Sequence, residues 1–208
     1  MRSQRLFSNM ANTRVFSNRQ VFVDVETTGL NHYKDKIVEI CAREYINGRE
    51  GIVWHTYLNP RRRISPQAFE CNQIPMKILT KSVEFKDISI NFINFIGNDP
   101  LIAHNMSFDA HFFNSELKRV GIKPLQNEKL CTLKLARKLY PNQKNTLDAL
   151  CDRLNIDRSI RNKGHNANID TNLLKQVYEK LLIEAKNKDD YDEIINCSRY
   201  YIQNTKWE

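Results

Sequence analysis

The chain has 208 residues, of which 41% are hydrophobic and 27% charged, as in an ordinary soluble protein with one well-packed domain. No apolar run approaches the roughly 18 to 20 residues that a membrane helix needs, and the start lacks the apolar core of a secretory signal, so we expect no membrane partner. Lysine and arginine number 32 against 24 acidic residues, and the net charge of +8 favours a polyanionic partner such as nucleic acid.

The first part of the chain, residues 1–19, is polar and basic and is predicted to be a flexible leader. Organellar transit peptides share this composition, so import into an organelle is the minor alternative to a cytoplasmic location. The five cysteines are widely spaced and include no CxxC pair, which favours reduced thiols in an intracellular protein.

The first predicted strand is the apolar run Val21–Val23. A run that is apolar on both strand faces is typical of a central strand covered on both sides. Two further apolar segments, 37–46 and 52–58, flank Asn47 and Gly48, a strong signal for a hairpin turn. The sequence therefore predicts three strands in a meander.

Helices alternate with a further strand in the middle of the chain. Apolar residues at helical spacing predict helices near 88–96 and 108–120, with a short strand at 101–103 between them. The same spacing predicts helices at 133–139 and 147–154.

A last long helix is predicted to begin near Asn168. The domain is expected to span residues 20–186, followed at 187–208 by a charged hinge and a C-terminal helix or tail. This order of elements indicates an α/β fold, with a mixed sheet covered by helices on both faces.

Two acidic residues directly after the first apolar run are the first sign of chemistry. Asp24 and Glu26 are two residues apart, so on a strand both carboxylates project from one face. Adjacent carboxylates repel one another and lose hydration when buried, so a bound cation would stabilise the pair. An ordinary polar strand end is the alternative.

Two more acidic residues lie on helix faces that should be buried. Asp109 is at the edge of the apolar stripe of its helix, and Asp170 lies on the apolar face of the last long helix. Each alone could be an N-terminal acid stabilised by the helix dipole. A metal site shared with the first pair would satisfy all four carboxylates together.

His165 lies in a polar stretch just ahead of the last long helix, where its ring could reach the carboxylates. A neutral imidazole can accept a proton from water at pH 7. Four carboxylates and one imidazole are what two divalent ions and a general base need for phosphodiester hydrolysis. His104 ends an apolar strand and is instead predicted to position the backbone or Asn105.

Three motifs carry a resemblance to a known family: Asp-x-Glu-Thr-Thr-Gly at 24–29, His-Asn-x-x-Phe-Asp at 104–109 and His-x-x-x-x-Asp at 165–170. In order and spacing they resemble the histidine subclass of the DEDD superfamily of 3′–5′ exonucleases. Segments 135–141 and 145–151 resemble, more closely, the proofreading epsilon subunits of bacterial DNA polymerase III.

The resemblance implies a ribonuclease H-like fold with a five-stranded sheet, and a reaction that releases nucleoside 5′-monophosphates from DNA 3′ ends. It implies that two Mg²⁺ or Mn²⁺ ions are held by Asp24, Glu26, Asp109 and Asp170, with His165 as general base. Glu26 would also contact the substrate. The other substrate contacts it implies are Thr27, Leu30, Asn105 and Phe108.

The resemblance also leaves alternatives open. Epsilon-like relatives usually have a glutamate and a histidine where this chain has Gln67 and Asn72, so substrate contacts there could differ. The expected partners are a single-stranded or frayed DNA 3′ end and a DNA polymerase catalytic subunit. A ribonuclease T-like exoribonuclease and a non-catalytic nucleic-acid-binding subunit with this fold are the alternatives.

Overall fold

The computed structural model describes residues 18–161 and 165–200, and they contain a mixed sheet of five strands. The strands lie in the spatial order β3-β2-β1-β4-β5. The first three pair antiparallel, and β4 and β5 continue parallel to β1. Their bounds are β1 Arg19–Thr27, β2 Ile37–Ile46, β3 Arg49–Tyr57, β4 Leu101–Ala103 and β5 Lys129–Cys131. The predicted mixed five-stranded α/β sheet is confirmed.

The predicted hairpin turn joins β2 to β3. Asn47 and Gly48 have φ angles of 52° and 78°, and Ile46 pairs with Arg49 across the turn. Positive φ at both central residues is what a two-residue type I′ turn needs, and asparagine and glycine adopt it most readily. The third strand therefore begins at Arg49, three residues before the predicted start at 52.

Eight α-helices surround the sheet in the part of the chain that the structure describes. They are α1 Pro66–Asn72, α2 Met76–Leu79, α3 Phe85–Ile96, α4 Met106–Arg119, α5 Thr132–Leu139, α6 Leu147–Arg153, α7 Ala167–Lys186 and α8 Tyr191–Ser198. A 3₁₀ turn at Ser159–Arg161 precedes the last two helices. The two short helices α1 and α2 were not predicted from the sequence, because neither is long enough to show a clear apolar period.

The apolar core has one layer on each face of the sheet. Alternate residues of β1 belong to different layers, with Phe22 on one face and Val21 and Val23 on the other. The Phe22 layer is formed with residues of α5, α6, α7 and α8, and the opposite layer with residues of α3 and α4. This placement matches the prediction of a central strand covered on both sides.

The C-terminal segment is packed against this core rather than loose. Helix α8 contacts α5 and α7, and its Ile194 and Ile195 are buried. The helix begins at Tyr191, inside the segment predicted as a charged hinge. Its apolar residues lie on one face, so burial against α5 and α7 stabilises it. Residues 201–208 lie outside the described part of the chain.

The predicted leader ended too late. Arg19 is the first residue of β1, and its guanidinium pairs with the carboxylates of Glu44 and Asp99. These ion pairs fix the start of β1 in the sheet. The rest of the predicted leader, up to residue 17, is outside the described residues.

All five cysteines are free thiols, and three of them, Cys41, Cys131 and Cys151, are buried. Within residues 18–161 and 165–200, no helix combines the length and apolarity of a membrane span.

Candidate active site

The site begins with the two carboxylates of β1. Asp24 and Glu26 have the same strand parity as Phe22, so both point to the face of the sheet that α7 covers. The ladder between β1 and β2 shifts register between Glu26 and Thr27. This irregularity ends the regular strand beside the acidic pair, as bulges near functional sites commonly do.

Helix α4 supplies the third carboxylate. The chain turns sharply from β4 into α4 at Asn105, whose φ is 70°, a left-handed value that asparagine tolerates better than most residues. Asp109 follows in the first turn and is only 2% exposed. Its predicted position facing the core is therefore confirmed.

The fourth carboxylate comes from the first turn of α7. The Asn166 side chain accepts a hydrogen bond from the backbone N–H of Ile169 at 3.2 Å, which caps the helix start. Asp170 lies one turn further on and is 4% exposed. As predicted, it faces the core.

These four carboxylates and His165 line one cavity of about 600 Å³. The ligand atoms of Glu26, His165 and Asp170 lie within 4.8 Å of one another. The His165 backbone N–H donates to the carbonyl of Cys71 at 2.9 Å, and its Nδ1 is 3.5 Å from Asp170 Oδ2. The three separated sequence clusters thus converge on one cavity, as the sequence predicted.

Burial raises the pKa values of three cavity carboxylates, those of Asp24, Glu26 and Asp109. For Asp24, burial raises the pKa well above its usual value, and the charges of Asp170 and Asp109 raise it further. Burial and then Asp170 raise the pKa of Glu26 to about 8, and burial raises the pKa of Asp109 to about 8. The cavity therefore favours positive charge, and bound cations would return these groups to their ionised forms.

One buried carboxylate beside the site was not predicted. Glu39 pairs with Glu26 across β1 and β2 and is fully buried. It accepts hydrogen bonds from His55 Nε2 at 2.7 Å, Asn166 Nδ2 at 2.9 Å and the Ala167 backbone N–H at 3.2 Å. Glu39 therefore holds the start of α7, and with it Asp170, against the sheet. Glu39 lies within a largely apolar strand, so the presence of an acidic residue in that run is the sequence signal that could have revealed it.

Arg161 is a second residue that sequence reasoning missed. Its Nη2 donates to Asp170 Oδ2 at 2.6 Å and contacts His165 Nδ1 at 2.6 Å, while Nη1 donates to Asp148 Oδ1. The side chain is 7% exposed. Residues 159–161 have no periodicity that marks an inward side chain, so spacing could not reveal this contact.

Three of the five residues expected to contact substrate line the cavity, whereas Thr27 and Leu30 are not among its lining residues. Asn105 and Phe108 are among the lining residues, as is Glu26. Thr27 is buried and its hydroxyl donates to the Gly29 carbonyl at 2.7 Å, whereas the Leu30 side chain is 84% exposed. Their contacts with a nucleotide stay a prediction.

His104 contacts the side chain of Thr132, and no described contact joins it to Asn105, which it was predicted to position. Its Nδ1 lies 2.9 Å from Thr132 Oγ1, and the residue lines the cavity. Burial lowers its pKa to about 4, which keeps the ring neutral. It therefore connects the end of β4 to the start of α5.

Asn72, one of the two residues at which the sequence left the substrate contacts open, supports the loop that follows the acidic pair. Its Nδ2 donates to the Thr27 carbonyl at 3.3 Å, and its Oδ1 accepts from the Ile74 backbone N–H at 3.2 Å. The side chain is buried. Gln67, the other of these two residues, is exposed.

One known protein family matches most of this chain. A family model described as "Exonuclease" matches residues 21–196. The chain belongs to this exonuclease family. The predicted resemblance to DEDD 3′–5′ exonucleases is thereby confirmed, and the protein is a 3′–5′ exonuclease.

Relatives of this exonuclease include subunits of a DNA polymerase. It is 37% identical over 188 residues to the DNA polymerase III subunit epsilon of Haemophilus influenzae, covering 86% of this chain and 73% of the relative. It is 36% identical over 170 residues to the Escherichia coli K12 subunit of the same name, covering 77% and 70%.

Solved structures share the fold of this exonuclease. Exonuclease X in complex with 5′ overhanging duplex DNA superposes with a TM-score of 0.62 at 22% identity, covering 86% of this chain and 99% of the other. E. coli exonuclease I in complex with a dT13 oligonucleotide gives a TM-score of 0.73 at 16% identity, covering 84% and 43%. The predicted ribonuclease H-like fold is confirmed.

Proposed function

We propose that this exonuclease is a replicative proofreader that removes nucleoside 5′-monophosphates from single-stranded or frayed DNA 3′ ends. It would use two Mg²⁺ or Mn²⁺ ions and act in the cytoplasm beside a DNA polymerase catalytic subunit. The observation that carries the proposal is the convergence of four carboxylates and His165 on one cavity. The identity with polymerase III epsilon subunits supports the role in replication.

The residues present fit a pair of divalent cations. The donor atoms are carboxylate oxygens, which Mg²⁺ and Mn²⁺ prefer. Asp170 Oδ1 is buried and has no hydrogen-bond partner within the described ranges, and a cation is one way to satisfy it. Asp24, Glu26, Asp109 and Asp170 would hold the ions. When bound, the ions would supply positive charge to the reacting phosphate and the departing 3′ oxygen.

His165 is placed to move a proton. Its side chain lines the cavity and is about half exposed, and its backbone N–H donates to the Cys71 carbonyl. A water molecule that attacks the terminal phosphorus must lose a proton, and the neutral imidazole would accept it. Asp170, with Oδ2 at 3.5 Å from His165 Nδ1, would then stabilise the resulting imidazolium.

The cavity has room for the terminal nucleotide. Its volume of about 600 Å³ lies within the usual range for small-ligand sites. Phe108 offers an aromatic face for the base, and Asn105 offers an amide, since both line the cavity. The exposed Leu30 side chain would wedge beside the terminal base, and Thr27 would hold the loop at the 3′ end. An unpaired base costs less to seat there than a paired one, which favours frayed ends.

The direct test is digestion of end-labelled DNA. We expect a 5′-labelled single strand to shorten stepwise from its 3′ end with Mg²⁺ or Mn²⁺ and to remain intact in EDTA. A mismatched primer terminus should be shortened faster than a matched one. Digestion that continues in EDTA would refute the metal-dependent mechanism, and faster digestion of a matched RNA strand would favour the ribonuclease T-like alternative.

The role of His165 has its own test. His165→Ala should lower the rate by roughly 10²- to 10⁴-fold while binding of DNA and of Mn²⁺ is retained. His111→Ala is the matched control, because His111 lies on α4 outside the cavity lining and contacts the Ser107 carbonyl. An undiminished rate in His165→Ala would remove this residue from the mechanism.

The partnership with a polymerase is tested by size-exclusion chromatography with the polymerase III catalytic subunit of the same organism. A shared peak, and faster removal of mismatched termini in the mixture, are the expected results. Separate elution at micromolar concentrations would contradict a stable replicase subunit while leaving the nuclease activity intact.

A further inference from the structure

Arg161 is a buried cation inside a cluster of carboxylates. It ends the 3₁₀ turn at Ser159–Arg161, and its side chain is 7% exposed. One end of the guanidinium reaches Asp170 Oδ2 at 2.6 Å, and the other reaches Asp148 Oδ1 on α6. Arg161 therefore bridges Asp170 to Asp148, which lines the same cavity but is not one of the four predicted metal ligands.

The bridge to Asp170 is incomplete. An arginine and a carboxylate can form two parallel hydrogen bonds, but Arg161 uses a single carboxylate oxygen of Asp170. In the part of the chain that the structure describes, Asp170 Oδ1 and Arg161 Nε are both buried without a hydrogen-bond partner. Such groups are costly to bury, so the arrangement leaves Asp170 able to accept another cation.

Asp148 differs from Asp170 in its surroundings. Its side chain is 41% exposed, and Arg158 Nη1 also lies 3.9 Å from Asp148 Oδ1. Asp148, which lines the same cavity, is thus a second anionic partner for Arg161. The guanidinium can release Asp170 while Asp148 still neutralises it.

We propose that Arg161 is an internal counter-ion that competes with the divalent cations for Asp170. This inference rests on the metal dependence in the proposed function. Without metal, Arg161 neutralises Asp170 and holds α7 near the cavity. When a cation is bound, the like charges repel and Arg161 shifts its hydrogen bonding to Asp148. Arg161 is in this sense a positioning residue that lowers metal affinity, and Asp148 raises that affinity by drawing Arg161 away.

The two residues should therefore change metal affinity in opposite directions. Arg161→Gln removes the competing charge but keeps amide donors, so Mn²⁺ should bind about 5- to 50-fold more tightly. Asp148→Asn leaves Asp170 as the main partner of Arg161, so Mn²⁺ should bind about 2- to 10-fold more weakly. Arg161→Lys keeps the charge and should stay close to the wild type.

The measurement is calorimetric titration of Mn²⁺ into each protein without nucleic acid, after circular dichroism shows that the variant is folded. The double variant, Arg161→Gln with Asp148→Asn, should match Arg161→Gln alone, because Asp148 acts through Arg161. A second readout is the rise in melting temperature on adding Mn²⁺, which should be larger in Arg161→Gln than in the wild type.

Equal or weaker Mn²⁺ binding by folded Arg161→Gln would overturn the competition, and so would tighter binding by Asp148→Asn. If Arg161→Gln does not fold, the sign of the change in Asp148→Asn decides alone. These outcomes leave the proposed exonuclease mechanism intact when the wild type binds Mn²⁺. No Mn²⁺ binding by the wild type would overturn both proposals.

Discussion

The stability of the metal-free protein should depend on the protonation of Asp109. Burial raises the pKa of this carboxyl to about 8 from an ordinary value of 3.8. Because the folded-state pKa is raised, the stabilisation is complete below about pH 4 and is lost as pH rises towards about 8. Across this window the unfolded chain binds one proton fewer than the folded chain at this site, which costs about 1.4 kcal/mol per pH unit.

The size of this pH effect on the free energy of unfolding follows from that slope. Between pH 5 and pH 7, Asp109 should lower the free energy of unfolding by about 3 kcal/mol. For a chain of this length that corresponds to a fall of about 6 to 12 °C in melting temperature. Asp109→Asn removes the ionisable group, so it should be more stable than the wild type by about 4 kcal/mol at pH 7 and by only about 1.5 kcal/mol at pH 5.

The assay is urea unfolding in EDTA at pH 5, 6 and 7. The pKa of Glu26 is also raised to about 8, so both proteins keep some pH dependence, and the difference between them isolates Asp109. Asp152→Asn is the matched control, because Asp152 is a surface carboxylate paired with Arg158. Saturating Mg²⁺ should stabilise the wild type more at pH 7 than at pH 5, since bound cations favour the ionised carboxylates.

Two results would refute this reasoning. One is a wild-type stability in EDTA that does not fall between pH 5 and pH 7. The other is an Asp109→Asn protein whose stability follows the wild type in parallel over that range. Either result would mean that Asp109 is ionised in the folded, metal-free protein.

Three further substitutions probe the loop beside the site and one helix start. In Gly29→Ala the new Cβ would lie 2.5 Å from Asp35 Oδ2, so thermal unfolding should show a loss of about 1 to 3 kcal/mol, and an unchanged melting temperature would contradict the contact. Leu30→Ala should leave the free energy of unfolding within about 0.5 kcal/mol of the wild type, because the side chain is 84% exposed. The same substitution should raise KM for single-stranded DNA. An unchanged KM would contradict the proposed contact between Leu30 and the terminal base. Thr146→Ala deletes the cap on Ala149 N–H and should cost about 0.5 to 2 kcal/mol in urea unfolding, whereas Thr146→Ser should restore most of it.

The longer helices and the hairpin could be predicted because their signals are local. Apolar residues at a period near 3.6 mark α3, α4 and α7, and asparagine followed by glycine marks the turn after β2. Strand β5 was not located, because Lys129–Cys131 is too short to show alternation. Its position depends on parallel pairing with β4, a contact made across the sheet.

The residues of the candidate site also divide into those that have a local sequence signal and those that do not. Asp109 and Asp170 could be picked out because an acid on an apolar helix face conflicts with its surroundings. Glu39 lies in a strand buried on both faces, and its partner Asn166 is 127 residues away in the chain. Its role depends on the register of β1 with β2 and on the docking of α7, which no local pattern specifies.

The sequence by itself predicted which side chains form the candidate site and determined which faces of their elements they occupy, because strand and helix periods follow from backbone geometry. Only the tertiary structure decided how close these side chains come to one another and which neighbours they have. Arg161 shows this difference, since its contacts join a 3₁₀ turn to two helices. Distances between elements are set by packing across the whole core, and residue spacing along the chain does not contain them.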